Sequence, residues 1–162
     1  KSNHHQKKSQ PIAQDIDKFT KESLQIHNDL RRKHGAASLT LNHDLSKLAQ
    51  QWAEHLANIR GLVHSKTKYQ NKNVGENLRS QSWPMTGKDM SEAWYSEQEK
   101  YNYNGDYQYG TGHFTQLVWN GTKEVGFGRA TDGNMWYGVA AYFPAGNFVG
   151  EFSKNVSPPK FS

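Results

Sequence analysis

The spacing of apolar residues changes period once along this chain, and that change limits the folds open to it. Over residues 14–34, 42–61 and 86–100 they recur every three or four positions, whereas beyond Lys123 they alternate with polar or glycine positions. The first period buries one face of a helix and the second one face of a strand. Helices first and strands late imply helices laid over a sheet, an α+β or three-layer α-β-α domain.

Local signals bound the segments. From Gln14 to His34 the stripe is Ile16, Phe19, Ile26 and Leu30, with polar Ser23 filling one turn and Gly35 placed for a left-handed cap. Asn42 is the expected N-cap of a second helix carrying Leu45, Leu48, Ala49, Trp52, Ala53, Leu56 and Ile59, ended by Gly61. Leu62 to Pro84 reads as loop with one ordered element near Val74 to Leu78. Thr86 and Asp89 approximate a capping box for a third helix through about Lys100, with stripe Met90, Ala93, Trp94, Glu97 and Tyr101. Asp132-Gly133 reads as a two-residue hairpin turn before the aromatic and β-branched run Met135 to Phe143, and Pro144 to Asn147 turn the chain again.

A single domain over 14–162 is expected, because 162 residues can enclose one substantial core. Only 34% of residues are hydrophobic, so five Trp, eight Tyr and seven Phe must fill much of it. The segment KSNHHQKKSQP lacks apolar periodicity, and residues 1–13 are expected to form a disordered basic tail. The absence of Cys excludes disulfides, Cys-ligated zinc and thiol nucleophiles. No apolar run approaches the roughly 20 residues of a membrane span. A net charge of +5 favours acidic partners such as phospholipid headgroups or glycans. No zinc finger or RNA-binding aromatic platform is visible, so nucleic acid is not an expected partner. The start at Lys1 reads as a processed end, and with the sequons Asn120-Gly121-Thr122 and Asn155-Val156-Ser157 it points toward secretion.

Four polar residues stand where apolar segments begin or end. Glu97 shares the stripe of Met90, Trp94 and Tyr101, where a carboxylate must find a partner or sit at the stripe's edge in water. Glu76, in Val74-Gly75-Glu76-Asn77-Leu78, is open to a loop salt bridge or a site. His64 follows the second helix, and His113 precedes the apolar residues Phe114, Leu117, Val118 and Trp119; each could pack, hydrogen-bonded, or ligate. Two imidazoles and two carboxylates together suit a zinc-type ion, although spacing alone does not make them converge. Patterns H-E-x-x-H, G-x-S-x-G and the P-loop are absent.

Larger motifs carry a resemblance. "GHFTQLVW" around His113, "YGVAAYFPAGN" from Tyr137 to Asn147, "VGENL", "AWYSEQEKYNY" and "IHNDLRRKHG" resemble, in order, the signatures of the CAP superfamily of cysteine-rich secretory, antigen 5 and pathogenesis-related proteins. The likeness covers about residues 15 to 160, and "GTGHFT", "YFPAGN" and "NVSPPK" look most like its Golgi-associated pathogenesis-related branch.

The resemblance implies an α-β-α sandwich with a central antiparallel sheet and a large cleft, and turns Gly112 to Val118 into a short helix. It carries the cleft's metal set onto His64, Glu76, Glu97 and His113, which in relatives can hold Zn2+ or another divalent cation. It further implies a non-enzymatic domain that engages anionic lipid, sterol, a protein partner or a second copy of itself. The alternative is a metal-dependent hydrolase using Glu76 or Glu97 as general base. Most of the superfamily is secreted, so an extracellular place is expected, against a cytosolic Golgi-type membrane surface for the nearest branch.

Overall fold

A computed structural model describes the backbone of residues 2–160 and the side chains of residues 15–160. Its elements are α1 (Ser2–Lys33), β1 (Thr40–Leu41), α2 (His43–Ile59), β2 (Lys68–Tyr69), β3 (Lys72–Asn73) and β4 (Gly75–Gln81). There follow α3 (Gly87–Tyr95), a 3-10 turn (Ser96–Lys100), α4 (Gly112–Val118), β5 (Glu124–Thr131), β6 (Trp136–Phe143) and α5 (Phe152–Asn155). The expected division between a tail at 1–13 and a domain from residue 14 falls where side chains lie outside the described residues.

The main sheet has the order β1-β5-β6-β4 and β2 pairs only with β3. β5, β6 and β4 are antiparallel, as expected for the central sheet, and two-residue β1 joins β5 in parallel at Thr40↔Glu124. In β6 the period of two separates two cores. Tyr137, Val139, Ala141 and Phe143 pack with Leu45, Ala49, Ala53 and Leu56 of α2, whereas Ala140 and Tyr142 pack with residues of α1, α3 and α4. Both faces are covered, which explains why β6 is apolar almost throughout. This is the three-layer sandwich, with α2 on one side and α1, α3 and α4 on the other.

Contact with α2 is close because β5 carries glycine where the helix crosses. A Cβ at Gly126 would stand 2.1 Å from Ser46 N, and one at Gly128 2.4 Å from Gln50 Cα. Either substitution would push the layers apart.

The local end signals hold where their partners lie within one turn. Asn42 accepts from Leu45 N–H, and Thr86 from Asp89 N–H, both at 3.0 Å. Gly35 ends α1 at φ +71°, and Ala36 N–H reaches back to Arg31 O. Several expectations shift. The left-handed residue after α2 is Arg60 rather than Gly61, and Ile59, beyond the last buried residue Leu56, is exposed. Asp89 does not complete a capping box, because its carboxylate takes Trp83 Nε1–H. α3 stops at Tyr95, and Glu97 lies on the 3-10 turn instead of an α-helical stripe. The hairpin reverses at Gly133–Asn134, one residue late, because Asp132 Oδ1 accepts from both Asn134 and Met135 N–H.

Candidate functional site

The four residues singled out in the sequence form two pairs. Glu97 Oε2 lies 2.7 Å from His113 Nδ1, and its Oε1 accepts from Phe114 N–H at 3.0 Å. Glu76 Oε1 lies 2.8 Å from His64 Nδ1 and accepts from Ser65 N–H at 2.9 Å, while Oε2 accepts from the Ser65 hydroxyl at 2.6 Å. In each pair one carboxylate grips an imidazole and the backbone N–H of the next residue. An ionised carboxylate only accepts, so Nδ1 is the protonated nitrogen of each neutral ring and Nε2 keeps its lone pair. Neither Nε2 has a hydrogen-bond partner among the described residues.

Different elements build the two grips. Glu97 sits on the 3-10 turn after α3, opposite the first turn of α4, whose N–H groups lack intrahelical acceptors and favour a carboxylate. His113 lies parallel to Trp94 of α3, 7° between ring planes and 6.2 Å between centroids. Trp94 is itself fixed by donating Nε1–H to Leu78 O. Glu76 projects from β4 toward the loop after α2 and is nearly covered, its side chain 9% exposed against 65% for His64. The hydrogen bond that His64 donates to Glu76 holds its pKa above the ordinary imidazole value, which burial opposes.

Asn77 ties the pairs through the backbone. It follows Glu76 on β4 and donates to His113 O at 3.1 Å and to the Tyr142 hydroxyl at 3.2 Å. The Tyr142 oxygen meets His27 Nε2 at 2.7 Å, and His27 Nδ1 meets Ser91 Oγ at 3.0 Å. Since Tyr142 accepts from Asn77, its own proton goes to His27 Nε2, so His27 carries its proton on Nδ1. Burial first, then the charge of Arg31, lowers the His27 pKa to about 3 and keeps it neutral; burial raises the Tyr142 phenol beyond its usual range.

Arg31 closes the other end of α4. It is fully buried and donates to Leu117 O, Trp119 O, Thr122 O and Ala37 O, and burial lowers its pKa to about 10. A guanidinium on the last carbonyls of α4 matches the negative end of the helix, as Glu97 matches the positive end. The sequence reading did not single out His27, Arg31, Asn77 or Tyr142. The available signal was that Ser23, His27 and Arg31 repeat every four residues along the buried side of α1, a polar stripe where an apolar one was expected.

The donor set fits a zinc-type ion in kind, two neutral imidazoles and two carboxylates. The pairs do not merge: among the described residues no three His, Asp or Glu side chains form a metal-holding group. A cavity of about 270 Å³, lined by Ile16, Leu41 and Phe127 among others, lies between α1 and α2 at the β1 edge, opposite the β4 edge that carries Glu76. No described helix is long and apolar enough to cross a membrane.

Comparison with known proteins places this architecture. Residues 24–150 match the family model of CAP, the cysteine-rich secretory protein family. The chain is 46% identical over 147 residues to human Golgi-associated plant pathogenesis-related protein 1, covering 88% of this chain and 94% of that one. It is 35% identical over 132 residues to tomato pathogenesis-related leaf protein 4, covering 79% of each. Against protein PRY2 of Saccharomyces cerevisiae it is 39% identical over 144 residues, 86% of this chain but only 41% of the yeast protein. Among solved structures, NaASP2 with Zn2+ superposes at a TM-score of 0.67 and 23% identity, covering 88% of this chain and 86% of that one. MpPR-1i superposes at 0.64 and 19%, covering 88% and 97%. With the family model spanning most of the domain and the sandwich shared, this chain belongs to the CAP family.

Proposed function

We propose that this CAP domain is a non-enzymatic binding module that takes a divalent, zinc-like cation on the imidazoles of His64 and His113, with Glu76 and Glu97 as the carboxylates that orient the two rings rather than as further direct ligands. One observation carries the reading: each imidazole has Nδ1 engaged by a carboxylate and Nε2 left with its lone pair. Metal-bound histidines commonly carry such a carboxylate on the other ring nitrogen, which fixes the tautomer and raises ligand basicity. The likeness in fold to a protein solved with Zn2+ supports it. Once bound, the ion would supply a fixed positive charge to the site.

A hydrolase would need a carboxylate free to take a proton from water. Glu76 already accepts from His64, Ser65 N–H and the Ser65 hydroxyl, and Glu97 from His113 and Phe114 N–H. Binding accounts for both carboxylates better than turnover does.

Calorimetric zinc titration tests the reading. Saturable binding near neutral pH should weaken as pH falls and the imidazoles protonate. It should vanish in His64→Ala/His113→Ala while the far-ultraviolet circular dichroism persists; undiminished binding in that variant rejects the site.

A second surface supports contact with a lipid headgroup layer. Asn147 donates to Gly112 O and accepts from Thr115, and Asp106 accepts from Gly150 N–H, so two loops are pinned beside α4. They present Tyr107, Tyr109, Phe148 and Val149 to solvent, Tyr109 92% exposed. Aromatic rings suit a membrane–water boundary, and a charge of +5 suits anionic lipid. On this reading the chain works at a membrane surface, in a secretory or Golgi-type setting. Liposome flotation should weaken with salt and in Tyr109→Ser/Val149→Ser; binding indifferent to both would end this reading.

A further inference from the structure

The two sequons meet each other at the end of α4, and the fold treats their asparagines oppositely. Trp119–Thr122 is a β-turn closed by Thr122 N–H to Trp119 O at 3.1 Å. Asn120 occupies its first corner, exposed, and its side-chain amide has no hydrogen bond among the described residues. Asn155, at the end of α5, is engaged through both side-chain polar atoms and its backbone oxygen. Its Nδ2 donates to Glu151 O at 2.9 Å, its Oδ1 accepts from Gly121 N–H at 2.9 Å, and its backbone O accepts from Asn120 N–H at 3.0 Å.

The residues after each asparagine widen the contrast. Gly121 adds no side chain to the first sequon. Val156 of the second is in the core, 2% exposed, and Ser157 O receives His34 Nδ1. Pro158 directly after Ser157 further limits that backbone to extended conformations. A glycan on Asn155 would take one hydrogen of the Nδ2 that donates to Glu151 O, in a side chain already clasped to the turn through Oδ1. A glycan on Asn120 displaces nothing.

We propose that Asn120 is the N-glycan acceptor of this chain in a secretory compartment and that Asn155 is left unmodified. This is independent of the metal reading. Transfer forms a bond from Asn120 Nδ2 to C1 of the first sugar of a lipid-diphosphate-linked oligosaccharide. The bond from that carbon to the diphosphate breaks, the lipid diphosphate leaves with the electron pair, and one amide proton passes to base. Thr122 is buried, its hydroxyl donating to Pro144 O and accepting from Gln116. Transfer therefore precedes closure of this segment, and the exposed corner keeps the product compatible with the fold.

The full chain, expressed behind a cleavable signal peptide in a eukaryotic secretory host, provides the test. Intact mass before and after peptide N-glycosidase should show one glycan, lost in Asn120→Gln and kept in Asn155→Gln. Because Asn155→Gln removes clasp contacts that its secretion could depend on, enzymatic release in H218O followed by peptide mapping of the unaltered chain gives occupancy directly. Label on Asn120 alone supports the proposal. Label on Asn155, on both, or on neither overturns it.

Discussion

The His64–Glu76 and His113–Glu97 pairs use the same grip in unlike surroundings. Both carboxylates hold a ring Nδ1 and the next backbone N–H. His64 stands in a loop with its side chain 65% exposed, held by Glu76 alone among the hydrogen bonds described. His113 starts a helix, lies over Trp94, has its carbonyl tied to Asn77, and is 40% exposed. The contrast teaches that one imidazole is placed by neighbours and the other by the whole α1/α3/α4 layer. Disturbing the core should therefore move His113 and spare His64.

The harshest way to break that comparison is Arg31→Met. Three buried carbonyls, of Leu117, Trp119 and Thr122, lose their donor at once, with the part-buried one of Ala37, and each unsatisfied buried group costs about 1–3 kcal/mol before relaxation. A loss of about 3–5 kcal/mol in urea unfolding is expected, with the His113 NMR signals displaced far more than those of His64. Equal displacement of both rings would contradict the asymmetry.

A gentler cut is Tyr142→Phe, which removes only the hydroxyl between Asn77 and His27. Leaving those two buried groups short of a partner should cost about 1–3 kcal/mol. If the metal reading holds, zinc affinity should also fall, by less than the roughly tenfold for loss of an outer-shell partner, because Tyr142 reaches His113 only through Asn77 and a backbone carbonyl. Unchanged stability would mean that the hydroxyl contributes nothing to the layer.

Acidity should sharpen the contrast with the smallest signals. His27 is neutral in the fold, with a pKa near 3 against about 6.5 unfolded, so the unfolded chain binds more protons between those values. Its contribution to stability is complete above about pH 6.5 and is lost as pH falls toward 3. His64 is raised, so its contribution has the opposite sign: present below about pH 6.5 and lost as pH rises through its folded value. In metal-free protein, NMR should find His64 titrating above 6.5 and His27 silent down to pH 5; reversed behaviour would refute both assignments.

How much of this was legible depends on how far each residue is from its partner. Asn42 and Thr86 satisfy donors three residues on, so a short window displays the whole interaction. Glu97 on an apolar stripe announced a need for a partner, but not that His113 would meet it or that the helix would tighten into a 3-10 turn. The expectation that His64, Glu76, Glu97 and His113 form one metal set came from family motifs, and the chain folds them as two pairs. His27 and Arg31 passed unnoticed because a polar residue on a helix normally reads as solvent-facing, and Tyr142 because it sits in the aromatic run of β6; the partners Ser91, Tyr142 and Leu117 lie 64 to 115 residues from α1.

By itself, then, the sequence determined the layers: helical period early, alternating period late, glycine where helix and strand touch, and caps at the helix starts. Each follows from local geometry and from burial of apolar surface. Only the tertiary structure decided which polar groups may be buried, because a buried donor or acceptor is tolerated only when its partner arrives in the right place. That condition turned a stripe of Ser23, His27 and Arg31 into the support of His113, and separated one free asparagine from one that is held.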